Sequence, residues 1–146
     1  MATLLLLNGP NLNMLGEREP EIYGHTTLPE IEDGMRAMIE GAGHSFRCFQ
    51  SNSEGDMVGW IQQNRDAQFM IVNGASLTHT SVALRDALKF TGIPFIELHI
   101  SNVHARESFR HHSYLSDIAL GVMVGLGVRG YALAAQWALD YFKEAG

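Results

Sequence analysis

Short apolar runs that alternate with helical patterns constrain this chain more than any other feature. Residues 3–7, 45–49, 69–72, 95–99 and 118–124 read as strands. Between and after them the apolar spacing changes to that of a helix. Residues 28–41 place Ile31, Met35, Met38 and Ile39 on one face, and Gly41 and Gly43 end the pattern. Residues 56–64 keep Val58 and Ile61 at helical spacing. Residues 81–91 open on a serine cap, carry Leu84 and Leu88 four apart, and stop before Gly92 and Pro94. Residues 129–143 carry Leu133, Trp137 and Tyr141 at i, i+4 and i+8. Strands alternating with helices predict an α/β fold, a parallel sheet with helices on both faces. Five strands and at least four helices in one domain, residues 1–146, predict a flavodoxin-like doubly wound sandwich of strand order 2-1-3-4-5. In such a sheet ligands bind beyond the carboxyl ends of the strands, where the winding reverses. With this order, the segments after strands one, three and four should hold the site.

The bulk numbers exclude several classes of function. With 46% hydrophobic residues the chain can build a core and does not read as disordered. A net charge of -6 argues against a nucleic-acid or anionic-membrane surface. The apolar stretch 118–128 is too short to span a bilayer and carries three glycines. No basic region precedes the first apolar run, which leads into Asn8–Gly9–Pro10, so no signal peptide is expected. Cys48 is the only cysteine, so no intrachain disulfide can form; it reads as a packed thiol, and a reducing cytoplasm suits such a chain.

Polar residues gather in the three segments that the sheet order selects. Residues 8–27 show no convincing helix or strand pattern, and loops that long in a small domain are usually functional or disordered. This one holds Asn8, Asn11, Asn13, Arg18 and Tyr23, with Gly16 and Gly24 placed to let a lid move. Tyr23 and Arg18 form a candidate base: a phenol is a poor base near neutral pH, and a guanidinium beside it favours phenolate. The alternative is a tyrosine packed under its own loop. After strand three, the small residues Gly74–Ala75–Ser76 would let backbone approach a ligand, flanked by Asn73 and His79. Ser81 opens a helix whose N-terminus favours an anion. Strand four ends in Glu97–Leu98–His99, and alternation points Glu97 and His99 to one face. A carboxylate beside an imidazole orients it and favours its protonated form, as a general acid requires. Ile100 and Ser101 follow with backbone N–H groups, and then Arg106 and Arg110.

Other chemistries fit less well. His99, His104, His111 and His112 invite a metal, yet their spacing matches no ligand pattern and arginines lie among them, so no metal is expected. Gly125–Leu126–Gly127 lacks the remaining glycine of a dinucleotide loop and the lysine of a P-loop; tight strand-to-helix packing accounts for it better. A phosphoacceptor domain would need acidic residues where Leu7–Asn8 stands, and a serine hydrolase would need G-x-S-x-G, which is absent. Lys89 and Lys143 are the only lysines, and neither reads as a buried Schiff-base former. Two non-enzymatic readings stay open: a module that holds a small anion at the helix beginning at Ser81, and a silent oligomeric scaffold.

The motifs also carry a resemblance. Asn8–Gly9–Pro10–Asn11–Leu12–Asn13, followed by Gly16–Glu17–Arg18–Glu19–Pro20 and Tyr23–Gly24, resembles the opening of type II 3-dehydroquinate dehydratases. So do Gln50–Ser51–Asn52–Ser53–Glu54–Gly55, Thr78–His79–Thr80–Ser81 with Arg85–Asp86–Ala87, Glu97–Leu98–His99–Ile100–Ser101–Asn102, and His104–Ala105–Arg106–Glu107–Ser108–Phe109–Arg110. The likeness covers nearly the whole chain in order. It implies reversible dehydration of 3-dehydroquinate to 3-dehydroshikimate by anti elimination through an enolate, with no metal and no cofactor. It implies that Tyr23 is the base, that Arg18 keeps it ionised, and that Asn11 holds a water near the enolate oxygen. His99, oriented by Glu97, would protonate the leaving hydroxyl. Asn73 with the backbone of Ile100 and Ser101 would bind the carboxylate, and His79 and Arg110 the ring hydroxyls. Asp86 would reach a neighbouring subunit's site in a dodecamer built as a tetramer of trimers. The reaction serves aromatic amino acid biosynthesis through the shikimate pathway or quinate breakdown. Met14 and the turn Gly74–Ala75–Ser76 depart from the family's usual residues, and the turn adjoins the expected carboxylate pocket.

Overall fold

Leu4, Leu5, Leu6 and Leu7 follow one another along the first strand, and all four are fully buried. Side chains alternate across a strand, so such a run needs a core on both faces of its sheet. A computed structural model describes residues 1–17 and 19–146, apart from the side chains of Ile22 and Tyr23. It contains two cores: Leu4 and Leu6 join one, and Leu5 and Leu7 the other. Burying each of these leucines contributes roughly 1.5–3 kcal/mol.

The strands β1 (Thr3–Asn8), β2 (Ser45–Gln50), β3 (Phe69–Asn73), β4 (Phe95–His99) and β5 (Gly121–Val124) form one parallel sheet in the order β2-β1-β3-β4-β5. This is the flavodoxin-like order read from the alternation. The helices are α1 (Pro20–Tyr23), α2 (Leu28–Gly41), α3 (Glu54–Gln63), α4 (Val82–Thr91) and α5 (Arg129–Ala145). Helices α2 and α5 cover one face, and α3 and α4 the other. Among the described residues no helix is long and apolar enough to cross a membrane.

Local chemistry fixes most boundaries. Helix α2 spans its predicted residues because Thr27 and Glu30 cap each other reciprocally and Pro29 lies in the first turn. Ser81 caps α4, its Oγ accepting from the Leu84 N–H at 2.8 Å. Helix α3 starts at Glu54, ahead of the predicted residue 56, because Ser53 is the cap and accepts from the Asp56 N–H. Strand β5 is shorter than residues 118–124: the N–H groups of Ile118 and Ala119 donate to the Leu115 carbonyl in a turn, and pairing begins only at Gly121. The long segment after β1 is more structured than its sequence suggests. It holds a 3-10 turn, Leu12–Met14, and the four-residue α1 with a proline in its first turn. Buried Leu12 and Leu15 anchor it to the first core.

Helix α5 buries a face other than the one its Leu133, Trp137 and Tyr141 series marks. Leu133 and Trp137 are exposed, while Tyr131, Ala134, Ala135, Ala138, Leu139 and Phe142 are buried. The sheet beneath presents bulky residues, Phe69, Ile71, Ile96 and Leu98, and the helix meets it with Ala134, Ala135 and Ala138 set among Tyr131, Leu139 and Phe142. The Gly125–Leu126–Gly127 turn has the packing purpose expected of it. The N–H groups of Gly125 and Gly127 donate to the carbonyls of His99 and Ile100, at 3.2 and 3.0 Å, tying α5 to the end of β4.

Candidate active site

Strands β1 and β3 run side by side and end in register, Asn8 opposite Asn73. Their following turns touch through backbone: the Gly9 N–H donates to the Asn73 carbonyl at 2.8 Å. A Cβ on Gly9 would lie 2.5 Å from the Gly74 carbonyl oxygen, so this approach requires glycine. A cavity of about 200 Å³ opens beside these turns and the end of β4. The segment after β1 contributes Pro10, Asn11 and Leu12 to its wall, and the segment after β3 contributes Asn73, Ala75, Ser76 and His79. Strand β4 and the loop beyond it contribute His99, Ile100, Ser101, Val103, Arg106 and Arg110.

Glu97 and His99 point to the same side of β4, as the alternation predicts. Both are buried, and His99 Nε2 lies 2.5 Å from Glu97 Oε2. A carboxylate only accepts, so Nε2 carries a hydrogen and Nδ1 is left as the nitrogen that can exchange a proton with a ligand. Ser113 Oγ donates to Glu97 Oε2 at 2.9 Å, and Ser116 Oγ to Oε1 at 2.5 Å. Burial pushes the Glu97 carboxyl up; the hydrogen bonds from His99, Ser116 and Ser113 outweigh it and hold the group below its ordinary value. The carboxylate therefore stays ionised and fully partnered beneath the imidazole.

His79 stands over His99, with ring centroids 6.1 Å apart. Its Nδ1 lies 2.7 Å from the His112 carbonyl and so carries the hydrogen, leaving Nε2 as an acceptor when the ring is neutral. Burial holds this imidazole below its ordinary value, and His99 and Arg110 act in the same direction against the His112 carbonyl and Glu97. Arg106 donates to Ser101 Oγ at 3.2 Å, and Arg110 to Glu107 at 2.9 Å. With two arginines and two imidazoles on its wall and the Glu97 carboxylate buried beneath, the cavity suits an anionic, hydroxylated ligand.

Asn11 adopts a left-handed conformation, φ 70, and its N–H donates to Asn52 Oδ1 at 2.9 Å. Asn73 lines the cavity although its side chain is buried: Oδ1 accepts from the Ala75 N–H at 3.1 Å, and Nδ2 donates to the Tyr131 hydroxyl at 3.0 Å. Ala75 takes φ 50 to make its bond, in a region that costs a non-glycine residue roughly 1–2 kcal/mol. Asp86 is exposed on α4 and is not part of this cavity wall. Arg18 and the side chain of Tyr23 lie outside the described residues. The start of α4, where an anion-binding module would hold its ligand, is occupied internally: Ser81 donates to the Glu54 carboxylate while capping the helix.

The family model for Dehydroquinase class II matches residues 2–139. The chain belongs to this family. It is 57% identical over 142 residues to the 3-dehydroquinate dehydratase of Marinobacter nauticus, covering 96% of this chain and 97% of that protein. It is 55% identical over 146 residues to the 3-dehydroquinate dehydratase of Acinetobacter baumannii, covering 99% and 97%. The type II dehydroquinase of Propionibacterium acnes has the same fold, with a TM-score of 0.90 and 42% identity over 96% of this chain and 97% of that one.

Of the dehydroquinase motifs, Pro10, Asn11, Leu12, His79, His99, Ile100, Ser101, Arg106 and Arg110 line the cavity, but three side chains and one main-chain carbonyl that support the site escaped the sequence reading. Ser113 and Ser116 hold Glu97, Tyr131 holds Asn73, and the His112 carbonyl holds His79. No local pattern marks them, since each acts across a fold-made contact. Arg106 was visible inside a motif, and its place on the cavity wall adds it to the site.

Proposed function

We propose that this dehydroquinase-family chain catalyses the reversible dehydration of 3-dehydroquinate to 3-dehydroshikimate by anti elimination through an enolate. The observation that carries the reading is the buried Glu97–His99 pair, with His99 on the wall of a cavity that Arg106 and Arg110 also line. Tyr23, held as phenolate by Arg18, takes the proton from the carbon next to the ketone, and the electron pair moves onto the ketone oxygen. Asn11 holds a water against that oxygen, stabilising charge that exists only during the reaction. The enolate then collapses, and His99 protonates the departing hydroxyl, which leaves as water. Asn73, Ile100 and Ser101 anchor the substrate carboxylate, and His79 and Arg110 the ring hydroxyls. Every proton is moved by a side chain, and the reaction draws on no redox step. The product feeds aromatic amino acid biosynthesis, or quinate breakdown when the substrate comes from that side. We place the enzyme in the cytoplasm, as a dodecamer of four trimers in which Asp86 serves a neighbouring subunit's site.

Incubating the purified protein with 3-dehydroquinate tests the reading through the ultraviolet absorbance of the conjugated enone. Wild type is expected to turn over, and His99→Ala and Tyr23→Phe each to lose about 10²–10⁴-fold in kcat with the fold intact. Folded wild-type protein that leaves the absorbance unchanged from neutral to mildly alkaline pH overturns the assignment. Near-normal turnover in either variant overturns the role given to that residue.

A further inference from the structure

Asn8, Asn73 and Tyr131 come together, buried, behind the cavity wall. They lie at the ends of the neighbouring strands β1 and β3 and in the first turns of α5. Tyr131 has no place among the motifs and is not on the cavity wall, and its hydrogen bond to that wall is the one to Asn73. Its hydroxyl donates to Asn8 Oδ1 at 2.7 Å and accepts from Asn73 Nδ2 at 3.0 Å.

The direction of this relay is fixed from one end. The Ala75 N–H can only donate, so the Asn73 atom facing it, at 3.1 Å, is the carbonyl oxygen. Nδ2 therefore faces Tyr131. Because Nδ2 donates, the phenol oxygen accepts, and the phenol hydrogen passes on to Asn8 Oδ1. Turning the Asn73 amide over would set its NH₂ against the Ala75 N–H and lose that bond inside a buried site, and it would draw the phenol hydrogen back from Asn8 to Asn73. Asn8 is left with a buried Nδ2 that has no partner among the described residues, as expected of a group that takes a direction set elsewhere. Burial pushes the Tyr131 phenol up, so the hydroxyl keeps its proton and the relay its direction at neutral and mildly alkaline pH.

We propose that Tyr131 is a positioning residue: with the Ala75 N–H fixing which way the Asn73 amide faces, the Tyr131 hydroxyl holds Nδ2 in place so that its second N–H, a donor, is presented to the substrate carboxylate. The proposal rests on the carboxylate-anchoring role given to Asn73 above. Without the hydroxyl the amide keeps its bond to Ala75 but loses its hold on Nδ2, and the donor can swing away from that carboxylate.

Tyr131→Phe keeps the ring and removes the relay. Anchoring acts on substrate and transition state alike, so KM for 3-dehydroquinate should rise about tenfold while kcat stays within about twofold. In an Asn73→Ala background the same substitution should add no further rise in KM. A purely structural tyrosine predicts a lower melting temperature without this split. An unchanged KM in folded Tyr131→Phe overturns the proposal, as does an equal rise in the Asn73→Ala background. If Tyr131→Phe does not fold, Asn8→Ala breaks the relay at its far end; it should raise KM by about threefold at constant kcat, and an unchanged KM overturns the proposal. Wild-type protein that turns over no 3-dehydroquinate fails at the earlier step, and that result bears on the dehydratase reading itself.

Discussion

His79 is half-buried, hydrogen-bonded through Nδ1 to a carbonyl and flanked by His99 and Arg110. Burial and those neighbours disfavour its cation in the folded chain, so the unfolded chain takes up a proton more readily. A depressed imidazole value makes a contribution to stability that is present above the ordinary value of about 6.5 and is lost as pH falls below it. Glu97, also held below its ordinary value, adds a second loss at more acidic pH, below about 4.5. Wild type should therefore lose urea resistance between about pH 7.5 and pH 5.5, and His79→Gln should lose less over the same interval. Equal losses in the two proteins would refute this account of His79. Both groups were legible in the sequence as candidates, since a histidine and a strand-end carboxylate stand inside motifs. Their charge states were not, because burial and the partners Ser113, Ser116 and His112 set them.

The site depends on two turns that nearly touch. After β1 and β3 the backbones of Gly9 and Gly74 come so close that a methyl group on Gly9 has no room. The obstacle is main-chain carbonyl, which cannot rotate aside as a side chain can. Gly9→Ala should therefore part the two turns, cost about 1–3 kcal/mol in urea unfolding, and lower activity by disturbing Asn11 and Asn73 together. Unaltered stability would mean that the turns have slack that the structure does not show. Elements differ in how openly their sequence declares them. Helix α2 is bounded by a reciprocal cap and read correctly to the residue, because its determinants lie within four positions of one another. Helix α5 was found in length but not in face: its Leu133, Trp137 and Tyr141 series has perfect helical spacing, yet Leu133 and Trp137 are exposed. The stripe that turns inward, Tyr131, Ala134, Ala135, Ala138, Leu139 and Phe142, has helical spacing too, and its alanines fit against the bulky residues of β3 and β4.

At the scale of the molecule, the proposed assembly has its own test. Asp86 is exposed on α4 and apart from its own chain's cavity, so any service to a site must come across a subunit boundary. Light scattering should give a mass many times that of one chain. Asp86→Ala and His99→Ala, each impaired alone, should regain activity when unfolded and refolded together, since about a quarter of randomly mixed sites would then carry both native residues. A monomer with full activity, or no recovery on mixing, would remove the shared site.

The sequence by itself determined the parallel sheet, its helices and the family, since strand and helix periods, caps and contiguous motifs are local patterns. It also determined which three segments should carry polar chemistry, because sheet order follows from the alternation and binding follows from sheet order. Only the tertiary structure decided how those residues are held. Ser116 reaches Glu97 across 19 residues, Asn73 reaches Tyr131 across 58, and Tyr131 reaches Asn8 across 123. Contacts of that span arise from which faces the core buries, and a buried polar group takes its partner from whatever the packing brings within reach.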